Sequence, residues 1–149
     1  MGGFLQRLFR GGSRDSREKE PRKPPLLDEE ELERIGTEED LLRNYEEAAH
    51  RNFRAMEAEQ NGDIELAVSL YEESVAEDFV EAHPYERLAN LHERRGDYGE
   101  ALRVTEKFIH LAKSGRLPKG SQRSADRRLP EFESRAVEYR GPGDAPRMK

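Results

Sequence analysis

The order of apolar and polar positions along the chain predicts a series of amphipathic helices. Apolar residues recur at spacings of three and four, which places their side chains on one face of an α-helix. Five such helices are predicted, over residues 38–60, 64–78, 84–95, 98–113 and 125–140. No stretch alternates apolar and polar residues as a strand would, so the predicted fold class is all-α.

Three of these helices have apolar faces that we expect to be buried in a shared core. In the first helix the face comprises Leu41, Leu42, Tyr45, Ala48, Ala49, Phe53 and Met56. In the second helix it comprises Leu66, Ala67, Leu70, Tyr71, Ser74 and Val75. In the last helix it comprises Leu129, Phe132, Ala136, Val137 and Tyr139.

Residues typical of helix ends separate these stretches. Gly62-Asp63 and Gly96-Asp97 each combine a glycine that accepts a positive φ with an aspartate suited to cap the next helix. Pro84 fits the first turn of its helix. Pro130 is expected to start or kink the last helix, and the basic stretch 116–124 is expected to be a loop.

Two shorter signals lie before the first helix. Thr37 with Asp40 three residues later forms a capping-box pattern. Asp28, followed by glutamates, predicts a short helix that Gly36 would end, over residues 28–36.

The two Gly-Asp turns are 34 residues apart, and a shift by this period aligns further pairs. Ala55 aligns with Ala89, and Ala67 with Ala101. With this period and a helix-turn-helix unit, the segment from 48 to 113 resembles the tetratricopeptide repeat family. The second copy carries the family's marks most fully, in Leu88-Ala89, Gly96-Asp97-Tyr98 and Ala101. An ordinary helical bundle with two Gly-Asp turns is the alternative.

The resemblance implies two repeats, at about 48–81 and 82–115, with the helix at 125–140 as a cap. Residues 28–36 could cap the other end, since stacks of this family usually need three units. In this family the first helix of each repeat lines a groove that binds a peptide or helix of another protein. The corresponding residues here are Asn52, Met56, Glu59, Gln60, His83, Glu86, Asn90, Glu93 and Arg94.

This groove composition predicts the partner's charge. Glu86 and Glu93 would repel a carboxylate, so we expect a partner segment of basic or mixed charge. The function implied by the resemblance is therefore that of a non-enzymatic adaptor or scaffold for protein–protein interaction. Self-association is a further expectation, because two repeats could leave apolar surface uncovered.

Composition and charge restrict the remaining classes. Apolar residues make up 34% and charged residues 39% of the 149 residues, which fits disordered tails at 1–25 and 141–149 around a helical domain at 26–140. The net charge of −6 combines +4 at 1–25, −14 at 26–113 and +4 at 114–149. An acidic body disfavours nucleic acid as a partner.

Candidate chemistry is sparse in this sequence. The chain has no Cys, which excludes disulfides and thiol chemistry. Glu47 and His50 form a Glu-x-x-His pair like those of di-iron bundles, but no second copy accompanies it. A helical metalloprotein is therefore the weakest alternative, and we expect no enzyme activity and no cofactor.

The N-terminus carries the remaining signal. Phe4, Leu5, Leu8 and Phe9 would share one helical face, with Arg7 and Arg10 beside it. Such a segment suits weak contact with an anionic membrane surface, or with the groove of a partner protein. It is too short for a signal peptide, and no apolar run is long enough to span a bilayer, so a cytoplasmic location is expected. A membrane-surface scaffold is the alternative function.

Overall fold

The computed structural model describes residues 40–141, together with Glu29 and Glu33. Between residues 40 and 141, five α-helices follow one another: α1 at Tyr45–Gln60, α2 at Ile64–Ala76, α3 at His83–Arg94, α4 at Tyr98–Ala112 and α5 at Lys119–Arg140. No strand occurs among the described residues, which confirms the all-α prediction. α1 and α2 form a first hairpin and α3 and α4 a second, and α5 packs on α4.

The two hairpins turn in the same way. Gly62 and Gly96 have φ values of 82° and 77°, which a residue with a side chain rarely adopts. The amide N of the following aspartate donates to a carbonyl five residues earlier, over 2.8 Å at Asp63 and 2.9 Å at Asp97. Each aspartate Oδ1 then accepts from the third amide of the next helix, at 3.4 Å and 3.2 Å. The turn chemistry predicted from the sequence is confirmed at both sites.

Small residues allow the paired helices to approach closely. Ala55, Ala67, Ala89 and Ala101 are all at most 1% exposed. A larger side chain at any of these four positions would push the helices apart.

Aromatic contacts join the second hairpin to the last helix. The ring of Phe108 lies 5.1 Å from that of Tyr85 and 4.4 Å from that of Phe132 on α5. The buried Tyr85 hydroxyl donates to the carbonyl of Phe79 over 2.7 Å, so its polar atom is satisfied. α5 is therefore part of the core.

The start of α5 corrects the sequence prediction. Residues 119–124 belong to the helix and not to a loop, and Pro130 lies inside it on the exposed side. Buried Leu117 anchors the entry to α5, and the side chain of Gln122 donates to the carbonyl of Ala112 over 2.8 Å. These tertiary contacts stabilise a first turn that has no apolar stripe of its own.

The ends of the first hairpin also differ from prediction. α1 begins at Tyr45 rather than near residue 38, and Oδ1 of Asp40 accepts from the amide of Leu42 over 2.9 Å in the preceding turn. α2 ends at Ala76, before Asp78 adopts a φ of 58°. Thr37 and most of the predicted helix 28–36 lie outside the described residues, although Glu29 and Glu33 are helical.

Three apolar residues predicted for the core are on the surface instead. Phe53 is 57% exposed, Leu66 is 46% exposed and Val137 is 51% exposed. Conversely, the charged residue Arg51 is buried, with only 8% of its surface exposed. Its guanidinium contacts Glu73 at 3.2 Å and Glu77 at 3.1 Å, which compensates its burial.

Candidate partner-binding groove

A cavity of about 420 Å³ lies between α1 and α3, and we call it the groove. Its lining comprises Met56, Glu59, Gln60, His83, Arg87 and Arg94. A second cavity of about 320 Å³ lies between the start of α3 and the start of α5. His83 lines both cavities, so they are neighbours along α3.

Five of the predicted site residues line the groove, and they come from both hairpins. These are Met56, Glu59, Gln60, His83 and Arg94. Arg87 also lines it but was not predicted from the sequence. Helical spacing explains this set, since Met56 and Gln60 are one turn apart on α1, as are His83 and Arg87 on α3.

Asn52 is not part of the groove. It is 7% exposed, and its side-chain Oδ1 accepts a hydrogen bond of 2.6 Å from the hydroxyl of Ser74 on α2. The guanidinium of Arg51 donates to the same hydroxyl over 3.2 Å. Asn52 therefore belongs to a polar network between α1 and α2, and its predicted contact with a partner would require this network to break.

Glu86, Asn90 and Glu93 are engaged by α5. Arg128 pairs with Glu86 at 2.9 Å. Arg135 donates to the amide oxygen of Asn90 and lies 3.2 Å from Glu93.

The opposite charges of the acidic body and the basic C-terminal segment therefore meet as ion pairs between helices. Arg140 with Glu106 at 2.9 Å is another such pair. The carboxylates at 86 and 93 are not free to repel an anionic ligand, contrary to the sequence argument.

The acid in the groove is paired as well. Glu59 accepts hydrogen bonds from Nε of Arg87 at 3.1 Å and from the hydroxyl of Tyr71 at 3.0 Å. Burial alone would raise the pKa of the Glu59 carboxyl, but the hydrogen bond and charge of Arg87 outweigh it and hold the pKa below its ordinary value. Arg94, in contrast, forms no ion pair with any residue from 40 to 141. The charge of Arg94 nevertheless helps to lower the pKa of the Glu59 carboxyl, so the groove carries two arginines and one glutamate.

His83 lines both cavities, and the fold shifts the pKa of its imidazole. Burial lowers the pKa of its imidazole below the ordinary value, although the charge of Glu86 opposes this shift. The neutral imidazole is therefore the form that the fold favours near neutral pH, and it offers a ligand one donor and one acceptor.

Phe53 is exposed on the same side of α1 as the groove residue Met56, although it is not among the residues that line the groove, and the sequence prediction missed this exposure. It lies three residues before Met56 and four after Ala49, so these side chains share one face of α1. Apolar spacing alone had placed Phe53 in the core. The repeat could have corrected this, because a shift of 34 residues brings Phe53 onto Arg87, and Met56 onto Asn90.

The outer surfaces of the first and last helices are polar. On α1 the exposed residues on the side away from α2 and α3 are Glu46, Glu47, His50, Arg54 and Glu57. On α5 they include Arg123, Asp126, Arg127, Glu131 and Glu138. Polar terminal faces allow a short helical array to remain solvated at its ends. The apolar wall at Phe53 therefore contrasts with its surroundings.

The metal-binding alternative has a different location from the one considered from the sequence. Glu47 and His50 are exposed, and the described residues offer them no third ligand. Glu72, His92 and Glu100 do have ligand atoms within 4.8 Å of one another. The guanidinium of Arg103 contacts both carboxylates, at 2.6 Å and 2.8 Å, and so supplies the positive charge between them.

The membrane-contact residues Phe4, Leu5, Arg7, Leu8, Phe9 and Arg10 lie outside the described residues. Their role therefore stays a prediction. None of the helices in the described part is both long and apolar enough to cross a membrane.

Comparison of the chain with protein-family models, with curated proteins and with solved structures found no match.

Proposed function

We propose that this chain is a non-enzymatic interaction module, an adaptor or scaffold, that binds a peptide or helix of another protein in the groove. The observation that carries the proposal is the exposed Phe53, which lies about one turn of α1 before the groove residue Met56. Exposed aromatic side chains next to a cavity are typical anchors of protein interfaces. The 34-residue period and the resemblance to tetratricopeptide repeats support the same class of function.

The proposed partner has mixed charge and at least one apolar anchor. Phe53 and Met56 offer an apolar wall, and Arg94 on the facing helix offers an unpaired positive charge. Glu59 does not attract a basic partner strongly, because Arg87 already binds its carboxylate. A segment with an apolar side chain flanked by an acidic group would satisfy both walls.

A cytoplasmic location stays a prediction.

Co-purification with matched variants tests this function. The full chain is immobilised as wild type, Phe53→Ala and Arg94→Glu, with Leu66→Ala and Arg123→Glu as controls. Leu66 is also an exposed apolar residue and Arg123 an exposed arginine, but they lie on α2 and α5, which contribute no residue to the groove. A cell lysate is passed over each immobilised protein. We expect wild type and both controls to retain a common set of lysate proteins that Phe53→Ala and Arg94→Glu do not retain. Identical sets on all five proteins would contradict the proposal.

A further inference from the structure

The surface around Phe53 is amphipathic. Ala49 and Met56 flank it on the groove side, and the carboxylates of Glu46 and Glu57 flank it on the other. Residues spaced by three, four or seven along a helix share one face, so these five side chains form one surface, which we call the Phe53 face.

The Phe53 face carries two carboxylates, those of Glu46 and Glu57. Both are exposed, and neither forms an ion pair with any residue between 40 and 141. By contrast, Glu59, Glu86 and Glu93 are each bound by an arginine. Apolar surface bordered by free acids is complementary to a segment that carries apolar and basic side chains together.

We propose that residues 4–10 of the same chain dock on the Phe53 face. Phe4, Leu5, Leu8 and Phe9 supply apolar side chains, and Arg7 and Arg10 supply the positive charges that Glu46 and Glu57 lack. The segment carries no acidic side chain, so it has nothing to pair with Arg94.

The connecting chain is long enough for this contact. The 29 residues from 11 to 39 link the segment to the first described turn. A chain of this length spans up to about 100 Å when extended. α1, with 16 residues, is about 24 Å long, so the connection is long enough for the segment to reach any point on it. Covalent connection raises the effective concentration of the segment at this surface, which favours even a weak contact.

The consequence is internal competition at the binding site. This regulatory step rests on the proposed function, because the same wall would hold a partner's apolar anchor. Residues 4–10 would cover Phe53 in the free protein, and a partner must displace them. A partner with an acidic group gains a contact with Arg94 that the internal segment cannot make, which favours the displacement.

Paramagnetic broadening in the full chain tests the docking directly. The protein has no cysteine, so Ser13→Cys creates a single site for a spin label. We expect the label to weaken the amide signals of residues 46–57 and to leave those around Val137 on the exposed side of α5 unchanged. Leu8→Asp with Phe9→Asp, in the same labelled full chain, should restore the weakened signals.

Charge reversal tests the proposed pairing. Arg7→Glu with Arg10→Glu should reduce the broadening, and adding Glu46→Lys with Glu57→Lys should recover it. The matched control, Arg14→Glu with Arg17→Glu, changes the tail charge equally outside the segment and should leave the broadening unchanged. Equal effects of both reversals would overturn the specific docking and indicate nonspecific attraction.

Three further outcomes would overturn the proposal. The first is uniform or absent broadening. The second is broadening that also arises between labelled and isotope-enriched copies in a mixed sample, which would indicate a second copy as occupant. The third is absent broadening together with binding to anionic phosphatidylglycerol vesicles that Leu8→Asp abolishes, which would assign the segment to membranes. Docking without any groove-dependent partner would instead reject the proposed function and leave the inference standing.

Discussion

The two hairpins share a turn and a period, but they are stabilised differently at equivalent positions. Tyr85 and Phe108 pack ring to ring in the second hairpin, at 5.1 Å. The residues 34 positions earlier are Arg51 and Ser74, which form a hydrogen bond of 3.2 Å instead. The same backbone arrangement therefore holds an aromatic contact in one copy and a polar network in the other.

The first helices of the two hairpins, α1 and α3, also differ in how far their neighbours cover them. α3 presents polar side chains, and α5 engages Glu86, Asn90 and Glu93. α1 presents the exposed Phe53 and the partly buried Met56. This comparison supports the proposal that the apolar part of the binding surface belongs to the first hairpin, whereas α5 covers the corresponding part of the second.

The largest expected effect comes from removing the aromatic contact of the second hairpin. Phe108→Ala deletes a fully buried ring that contacts Tyr85 and Phe132, so the free energy of unfolding should fall by about 3–5 kcal/mol. Phe53→Ala is the matched control, because removal of this exposed ring should change the free energy of unfolding by about 0.5 kcal/mol or less. Urea denaturation of the full chain measures both. Similar losses would remove the assigned difference between the two faces.

The polar network of the first hairpin should respond less strongly. Arg51→Ala leaves Glu73 and Glu77 without their guanidinium partner, although the Ser74 hydroxyl keeps its hydrogen bond to Asn52. We expect a loss of about 2 kcal/mol because the two paired glutamates are half exposed. Arg95→Ala, which breaks an exposed pair with Glu65, should cost about 0–1 kcal/mol. The same denaturation experiment compares them, and equal losses would show that burial of Arg51 is unimportant.

The contact between α5 and α3 should have a still smaller effect. Arg135→Ala removes hydrogen bonds to Asn90 and Glu93 at the half-buried junction, with an expected loss of about 1 kcal/mol. Arg127→Ala changes an exposed arginine on the same helix and should be nearly neutral. A stabilising effect of Arg135→Ala would contradict the inference that the contacts of α5 with α3 stabilise the second hairpin.

The smallest expected effect is a dependence on pH at His83. Its pKa is lower in the folded state than its unfolded value of 6.5, so the fold favours the neutral imidazole. The resulting stability is fully present above pH 6.5 and declines as the pH falls below it. His83→Gln should therefore flatten the stability profile just below pH 6.5. His50→Gln, at an exposed histidine, is the comparison, and an identical slope in both variants would exclude His83 as the cause.

The sequence predicted the structure correctly where that structure depends on residues close together along the chain. The Gly62-Asp63 and Gly96-Asp97 turns were predicted correctly, because a positive φ and an aspartate cap are local requirements. The start of α5 was not, because its first turn depends on Leu117 and on a hydrogen bond to Ala112.

The candidate site was predicted only in part for the same physical reason. Met56, Glu59 and Arg94 were placed in the groove through the repeat. Phe53 was assigned to the core because helical spacing indicates which residues share a face and not what covers that face. The arginine partners of Glu86 and Glu93 are 42 residues away on α5, a pairing that no local pattern encodes.

Affinity for a selected peptide is the most direct test of the binding surface. Peptides are selected from a random library on the full chain, and the dissociation constant is measured by titration calorimetry for wild type, Phe53→Ala and Leu66→Ala. Loss of an interface anchor costs about 1.4 kcal/mol or more, so Phe53→Ala should weaken binding about tenfold or more while Leu66→Ala leaves it unchanged. Equal affinity of all three proteins, or weakening by Leu66→Ala alone, would contradict the assignment of binding to the surface of α1 around Phe53.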